Sequence, residues 1–224
     1  MMKRYFCTAL AVLLLFLPLS GCVLAPAISA AAAPGEVEEY QTGTIENNTY
    51  SNEFFGIGCE LDDTWKILNE EELAELSGLT FDMLEEGGMG NSDRIAMENG
   101  NFVFDFFAQK LDNTAAINIT VGNMGVLYGT ALTEEGHIDA TTEQIVKSLE
   151  STGYENVASE KTTVMFAGTE HAALIVYGES AGMPIYQTLV VIRKSIYVGT
   201  VGLTTANEDT TGDLVTLFYA LDKE

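Results

Sequence analysis

Positive charge is what this chain has least of. Its 224 residues carry 10 Lys+Arg against 33 Asp+Glu, a formal net charge of −23. Nucleic-acid binding depends on Lys and Arg neutralising phosphates, so no nucleic-acid partner is expected. An acidic field also opposes lying flat on anionic lipid. Histidine is scarcer still: His137 and His171 stand alone, with no second histidine or cysteine at ligand spacing, and zinc has no motif. Of three cysteines, Cys7 and Cys22 fall in the first 22 residues, which leaves Cys59 without an internal partner. Stability must therefore come from packing rather than from disulfides. No uninterrupted apolar run is long enough to span a bilayer either. That needs about 20 residues, and Pro18, Gly21 and Pro26 break the only candidate.

The start of the chain has a definite order. Lys3 and Arg4 precede an apolar run from residue 9 to 17, Pro18 breaks it, and Leu19-Ser20-Gly21-Cys22 closes it. This is a secretory signal whose small residues are followed directly by cysteine, the form of a lipobox. The expectation is a signal peptide over residues 1–21, lipid attachment at Cys22, and an anchor of two acyl chains, the number at which membrane binding becomes stable. The expected address is the extracytoplasmic face of a bacterial cell membrane, with the bilayer itself the first partner. Without the signal, 8 basic residues face 33 acidic ones, a net charge of −25. Cleavage within the alanine tract 30–33 would instead release a secreted soluble protein.

Residues 22–49 read as a lipidated flexible tether, Ala-rich and then rich in Gly, Glu, Thr and Asn. About 26 such residues reach about 28 Å. The rest, residues 50–224, reads as one domain, large enough to bury about 70% of its unfolded surface. Phe55, Ile57, Cys59 and Leu61 alternate with Gly56, Gly58 and Glu60, the period of a half-buried strand that points Cys59 inward. Asn69 and Glu72 form a capping box at the start of a short helix. A second helical turn is expected at 80–86, and Gly87-Gly88-Met89-Gly90-Asn91 as a loop. Strands are expected at 94–98 and 102–109 about the Asn99-Gly100 hairpin, and at 115–121. After a glycine-rich loop over 122–136, a helix opens at Thr141 and stops at Gly153. Four more strands follow at 154–166, 170–177, 184–193 and 195–204. Leu189-Val190-Val191-Ile192 is apolar on both faces, so that strand should be covered on both sides. A closing helix is expected from 208 to 221, capped by Asn207, with Leu214, Leu217, Phe218 and Leu221 as its stripe.

Tyr50-Ser51-Asn52-Glu53-Phe54-Phe55-Gly56 with alternating apolar residues up to Trp65, then Ile185-Tyr186-Gln187, Tyr197 and the terminal amphipathic segment, resemble the PsbP/Mog1-like domains of small bacterial lipoproteins over about residues 50–224. Asp62 stands where such sequences usually place a proline. The resemblance implies an α+β fold, a three-layer α/β/α sandwich in which helices cover an antiparallel sheet. It implies an accessory or binding subunit, and it transfers no catalytic, cofactor or metal residue to this chain.

Strings that suggest chemistry lack their context. Gly178-Glu179-Ser180-Ala181-Gly182 matches a nucleophile elbow, but that motif needs a helix after it and a histidine downstream; here a strand follows and both histidines come earlier. Asn207 to Gly212 copies half of an EF-hand loop and fails at its twelfth position, Phe218. The sequence thus points to a membrane-tethered, non-catalytic binding or accessory lipoprotein of the bacterial cell envelope, with no cofactor, and with an envelope protein or a small molecule as its ligand. Loops are where contacts would lie; Met89, Met124 and Tyr128 offer adaptable apolar surface there. The alternative is an envelope enzyme using carboxylates such as Asp62 and Asp63 or Glu85 and Glu86 as acid and base.

Overall fold

The computed structural model describes residues 38–69, 71–75, 102–125, 129 and 131–221. Cys22, the features expected at 80–100, Met89 and Tyr128 lie outside them. In chain order the elements are β1 (Thr44–Glu46), β2 (Thr49–Asn52), β3 (Ile57–Glu60), β4 (Trp65–Ile67), β5 (Phe102–Lys110), β6 (Ala115–Asn123), α1 (Glu134–Ser151), β7 (Tyr154–Phe166), β8 (Thr169–Ser180), β9 (Met183–Lys194), β10 (Tyr197–Ala206), α2 (Thr211–Val215) and β11 (Phe218–Ala220). They form a seven-stranded sheet, β4-β5-β6-β10-β9-β8-β7, and a four-stranded sheet, β1-β2-β3-β11. Every pairing is antiparallel.

Turn chemistry explains the long meander. Asn47-Asn48, Ala167-Gly168 and Ala181-Gly182 each carry positive φ at both positions, the backbone of the two-residue turn whose twist matches that of paired strands. Ala181-Gly182 closes β8 onto β9 with Ser180 opposite Met183. The elbow-like string is thus the tip of a hairpin.

Alternation along β9 sorts the core. Val190 and Ile192 join a cluster with Ile117, Ile119, Val201 and Leu203 of the large sheet, Tyr50 and Cys59 of the small sheet, Leu214 of α2 and Phe218 of β11. Tyr50 stacks at 4.5 Å on Phe106, and Phe218 at 4.7 Å on Phe166. Leu189 and Val191 point the other way, to Ile138, Ile145 and Leu149 of α1. The strand is covered on both sides, by α1 on one and by the four-stranded sheet together with the five-residue α2 on the other. The α/β/α sandwich is therefore incorrect: the layers are helix, seven-stranded sheet and four-stranded sheet.

The chain's last segment is the reason. Instead of a helix from 208 to 221, α2 spans five residues and the chain then extends as β11, pairing Phe218 with Cys59 and Ala220 with Ile57. Thr210, Thr211, Gly212 and Thr216 are poor helix formers, and β3 would otherwise present an unpaired edge. Asp209, not Asn207, tethers the helix start, accepting from the Thr211 N–H at 3.2 Å and its hydroxyl at 2.8 Å.

Helix α1 begins earlier than expected, at Glu134, where Thr133 accepts from the Gly136 N–H at 3.0 Å. The reciprocal capping box is present: Asn69 accepts from the Glu72 N–H at 3.0 Å and Glu72 from the Asn69 N–H at 3.1 Å. Cys59 is fully buried, which pushes its thiol up to about 12. The chain already contacts the body at Glu38, paired with Lys194 at 2.8 Å, and at Tyr40, which lies within 6 Å of the Phe54, Phe55 and Tyr197 rings.

Close sheet packing shows at Gly199, where a Cβ would stand 2.8 Å from Ile192 Cγ1 and 3.2 Å from Phe55 Cζ. Gly199→Ala should lower unfolding free energy by about 1–3 kcal/mol, the usual cost of overpacking. A urea midpoint equal to wild type would show that Ile192 and Phe55 yield freely.

Candidate functional site

The face of the large sheet under α1 is not uniformly apolar. On β6, Ile117, Ile119 and Val121 face the small sheet, so Ala116, Asn118, Thr120 and Gly122 turn toward the helix side. The register sets Thr200 of β10 opposite Thr120, Gly202 opposite Asn118, and Val198 opposite Gly122. Gln187 of β9 lies opposite Thr204 and donates to its hydroxyl at 2.9 Å. Asn118, Thr120, Thr200, Gln187 and Thr204 are all buried, as is His137 of α1.

A small half-open recess, with room for about one water, lies over this strip, lined by Phe102, Thr120, Gly122, Met124, His137, Val198 and Thr200. Phe104 meets Phe102 edge-on at 5.4 Å. Burial lowers His137 to about 4, so its imidazole is neutral at ordinary pH. Three buried oxygens, Asn118 Oδ1, Thr120 Oγ1 and Gln187 Oε1, have no hydrogen-bond partner among the described residues, and neither does Arg193 Nε. Arg193 pairs in register with Val198, and its Nη2 donates to the Gly129 carbonyl. Buried polar groups are nearly always hydrogen-bonded, so four orphans around one face are unusual. Of the four, only Thr120 lines the recess, which among the described residues also offers the Thr200 hydroxyl and the Phe102 ring and contains no carboxylate.

A second polar cluster lies on the opposite face. A bulge between Phe104 and Phe106 turns Asp105 toward the small sheet. There its carboxylate accepts from the Gly43 N–H at 2.9 Å, from Asn52 Nδ2 at 3.1 Å and from the Tyr50 hydroxyl. Asn52 also donates to the Tyr40 hydroxyl at 3.0 Å. Burial, and next the Asp105 charge, push both phenols well above their ordinary value. These contacts tie two elements together and leave Asp105 no free oxygen.

Of the residues proposed from sequence, Met124 lines the recess, while Met89, Tyr128 and Cys22 lie outside the described residues. Asp62 is exposed and accepts from the Thr64 N–H and hydroxyl, which lower its carboxyl below the usual range. Asp63 receives Asn48 Nδ2 at 3.4 Å. The two hold a turn and do not converge on a cleft. His171 Nδ1 lies 2.9 Å from Glu134, whose other oxygen accepts from the Ala172 N–H at 3.1 Å, pinning α1 to β8. Among the described residues no group of three His, Cys, Asp or Glu could hold a metal ion, and no helix is long and apolar enough to cross a membrane. The sequence reading missed Asn118, Thr120, Thr200 and Gln187. The signal was present in the even positions of β6, which looked like a solvent face because nothing local revealed the helix above them.

No protein-family profile and no curated protein matches the chain. Among solved structures it is similar to a Bacteroides thetaiotaomicron protein at a TM-score of 0.39 and 9% identity, over 75% of this chain and 46% of that one. The chain thus spans under half of that protein's length. It is also similar to LpqN, described as involved in cell envelope biogenesis of Mycobacterium tuberculosis, at a TM-score of 0.31 and 11% identity, over 71% of this chain and 75% of that one. Neither description names PsbP or Mog1.

Proposed function

We propose that the chain is a membrane-tethered, non-catalytic binding or accessory module of the bacterial cell envelope, anchored through acylated Cys22. The observation that carries the anchor is Leu19-Ser20-Gly21-Cys22 after a basic and apolar start. Two acyl chains hold a protein at a membrane stably, and the acidic body is then repelled by anionic headgroups rather than drawn onto them. The binding reading is supported by the unpartnered polar atoms of Asn118, Thr120 and Gln187 on the sheet face beneath α1.

The anchor is tested by metabolic labelling with a fatty acid in a bacterial host. Wild type should be labelled and processed. Cys22→Ala should lose the label completely and accumulate as precursor, and a labelled mutant would refute the anchor.

A further inference from the structure

Acylation at Cys22 leaves open which end of the body faces the membrane. We propose that residues 38–43 form a strap that brings the tether in at the β9–β10 turn, so that this end faces the bilayer and the opposite end, with the β5–β6 and β8–β9 turns, is presented to the envelope. This orientation rests on the anchor proposed above.

The large sheet has two ends about 33 Å apart, the length of the ten-residue β10. At one end lie the β9–β10 turn between Lys194 and Tyr197 and the last residue of β6, Asn123, opposite Tyr197. At the other lie the β8–β9 turn, with Ser180 opposite Met183, and the start of β6, with Ala115 opposite Thr205. The β1–β2 turn is also at this second end: Asn48 Nδ2 reaches Asp63 at 3.4 Å, and the neighbouring Thr64 carbonyl accepts from the Leu111 N–H at 2.9 Å. A body whose first fixed residue was Tyr50 would therefore hang from the second end. Residues 38–43 reverse this.

Glu38 pairs with Lys194 at 2.8 Å, and Lys194 Nζ stands 4.5 Å from the centre of the Phe54 ring. The Tyr40 ring lies 5.2 Å from Phe54, 5.9 Å from Phe55 and 5.7 Å from Tyr197, and its hydroxyl accepts from Asn52 Nδ2 at 3.0 Å. An exposed ion pair adds little, so the half-buried aromatic ring holds the strap. Gly43 completes it. Its N–H donates to Asp105 at 2.9 Å, and a Cβ there would stand 2.3 Å from Tyr50 Cε2, so only glycine lets the chain lie this close to that ring. From Cys22 to Glu38 there remain about 16 residues, which reach about 22 Å as a random chain, less than the length of the sheet. A body that cannot enter the bilayer, and whose acidic surface anionic headgroups repel, keeps its point of attachment nearest the membrane. Leu111, 66% exposed, then stands at the far end.

The test uses the full acylated chain on phosphatidylcholine vesicles that carry an acceptor dye on a small share of their headgroups. A donor dye is placed on Glu170→Cys, near the start of β8 at the first end, or on Leu111→Cys at the second. With the signal removed and Cys22 acylated, Cys59 is the only other thiol, and it is fully buried. Energy transfer to the vesicle should be about twofold or more stronger from residue 170 than from residue 111, given the roughly 33 Å between the ends. Tyr40→Ala should abolish this difference, and Tyr40→Phe, which keeps the ring, should retain it. Inserting about 20 Gly and Ser residues just before Glu38 leaves the strap docked, lengthens the reach to about 33 Å and should shrink the difference. Equal transfer from the two positions of the vesicle-bound chain overturns the proposal. So does a difference that is unchanged by the insertion, or by Tyr40→Ala in a folded protein. A chain that does not bind vesicles at all marks failure of the anchor instead, and the orientation falls with it.

Discussion

Asp105→Ala is expected to lower the unfolding free energy by about 3–5 kcal/mol, measured by urea denaturation at neutral pH. Asp105 is 6% exposed and sits in the β5 bulge with its oxygens turned to the small sheet. Removing it leaves the Tyr50 hydroxyl, Asn52 Nδ2 and the Gly43 N–H without their acceptor. Orphaned buried donors cost roughly 1–3 kcal/mol each, and water entering the gap recovers only part of that. Tyr50 is fully buried, so water reaches its hydroxyl only if the β1–β2 hairpin lifts away from the large sheet. The Gly43 N–H also loses its acceptor, so the variant should make the segment around Gly43 a new site of limited proteolysis. Tyr50→Phe removes one donor and keeps the ring, so its loss should be smaller. A loss below about 1 kcal/mol for Asp105→Ala would show that the carboxylate is not a clamp between the sheets.

The same cluster gives an alkaline limit. Both phenols are held above their ordinary value of 10, by burial first and by the Asp105 charge next. The folded state therefore keeps protons that the unfolded chain releases above pH 10. The stabilisation is complete below pH 10 and is lost progressively as pH rises from there toward the folded values.

What could be read in the sequence was whatever local pattern dictates. The alternation in residues 115–121 and 184–204 placed β6, β9 and β10, because side-chain direction in a strand depends only on position parity. The capping box at Asn69 and Glu72 was legible because its donors and acceptors lie within four residues of each other. The apolar run Leu189 to Ile192 gave a strand covered twice. It could not say by what, since a sheet and a helix present the same apolar surface. The closing segment went wrong for a related reason: Leu214, Leu217, Phe218 and Leu221 have helical spacing, yet the edge of β3, far away in sequence, captured Phe218 to Ala220 by pairing. The start of α1 was hidden by Gly136, which suggests a loop but here follows the Thr133 cap. The recess was the least legible feature of all. It depends on Asn118 and Thr120 lying beneath α1, and no residue near them in the chain carries that information.

His137 makes the recess measurable through pH. Its ring is 5% exposed, and burial holds it at about 4, against an ordinary 6.5. In the folded protein it stays neutral through the range in which the unfolded chain takes up a proton. Between pH 6.5 and about 4 the unfolded state therefore binds more protons, and stability falls as pH falls. The contribution is complete above pH 6.5 and gone below about 4. A gap of 2.5 units at about 1.36 kcal/mol each amounts to about 3 kcal/mol. Protonation of the many carboxylates also acts in this window, so the comparison must be with His137→Gln. Glu134, one turn earlier on α1, and Arg193 on β9 are present in both proteins and largely cancel. Wild type should lose about 3 kcal/mol more than His137→Gln between pH 7 and pH 4 in urea titrations. Equal losses would mean that His137 takes up its proton in the folded state, and so that water reaches a ring whose side of the recess should then be wet.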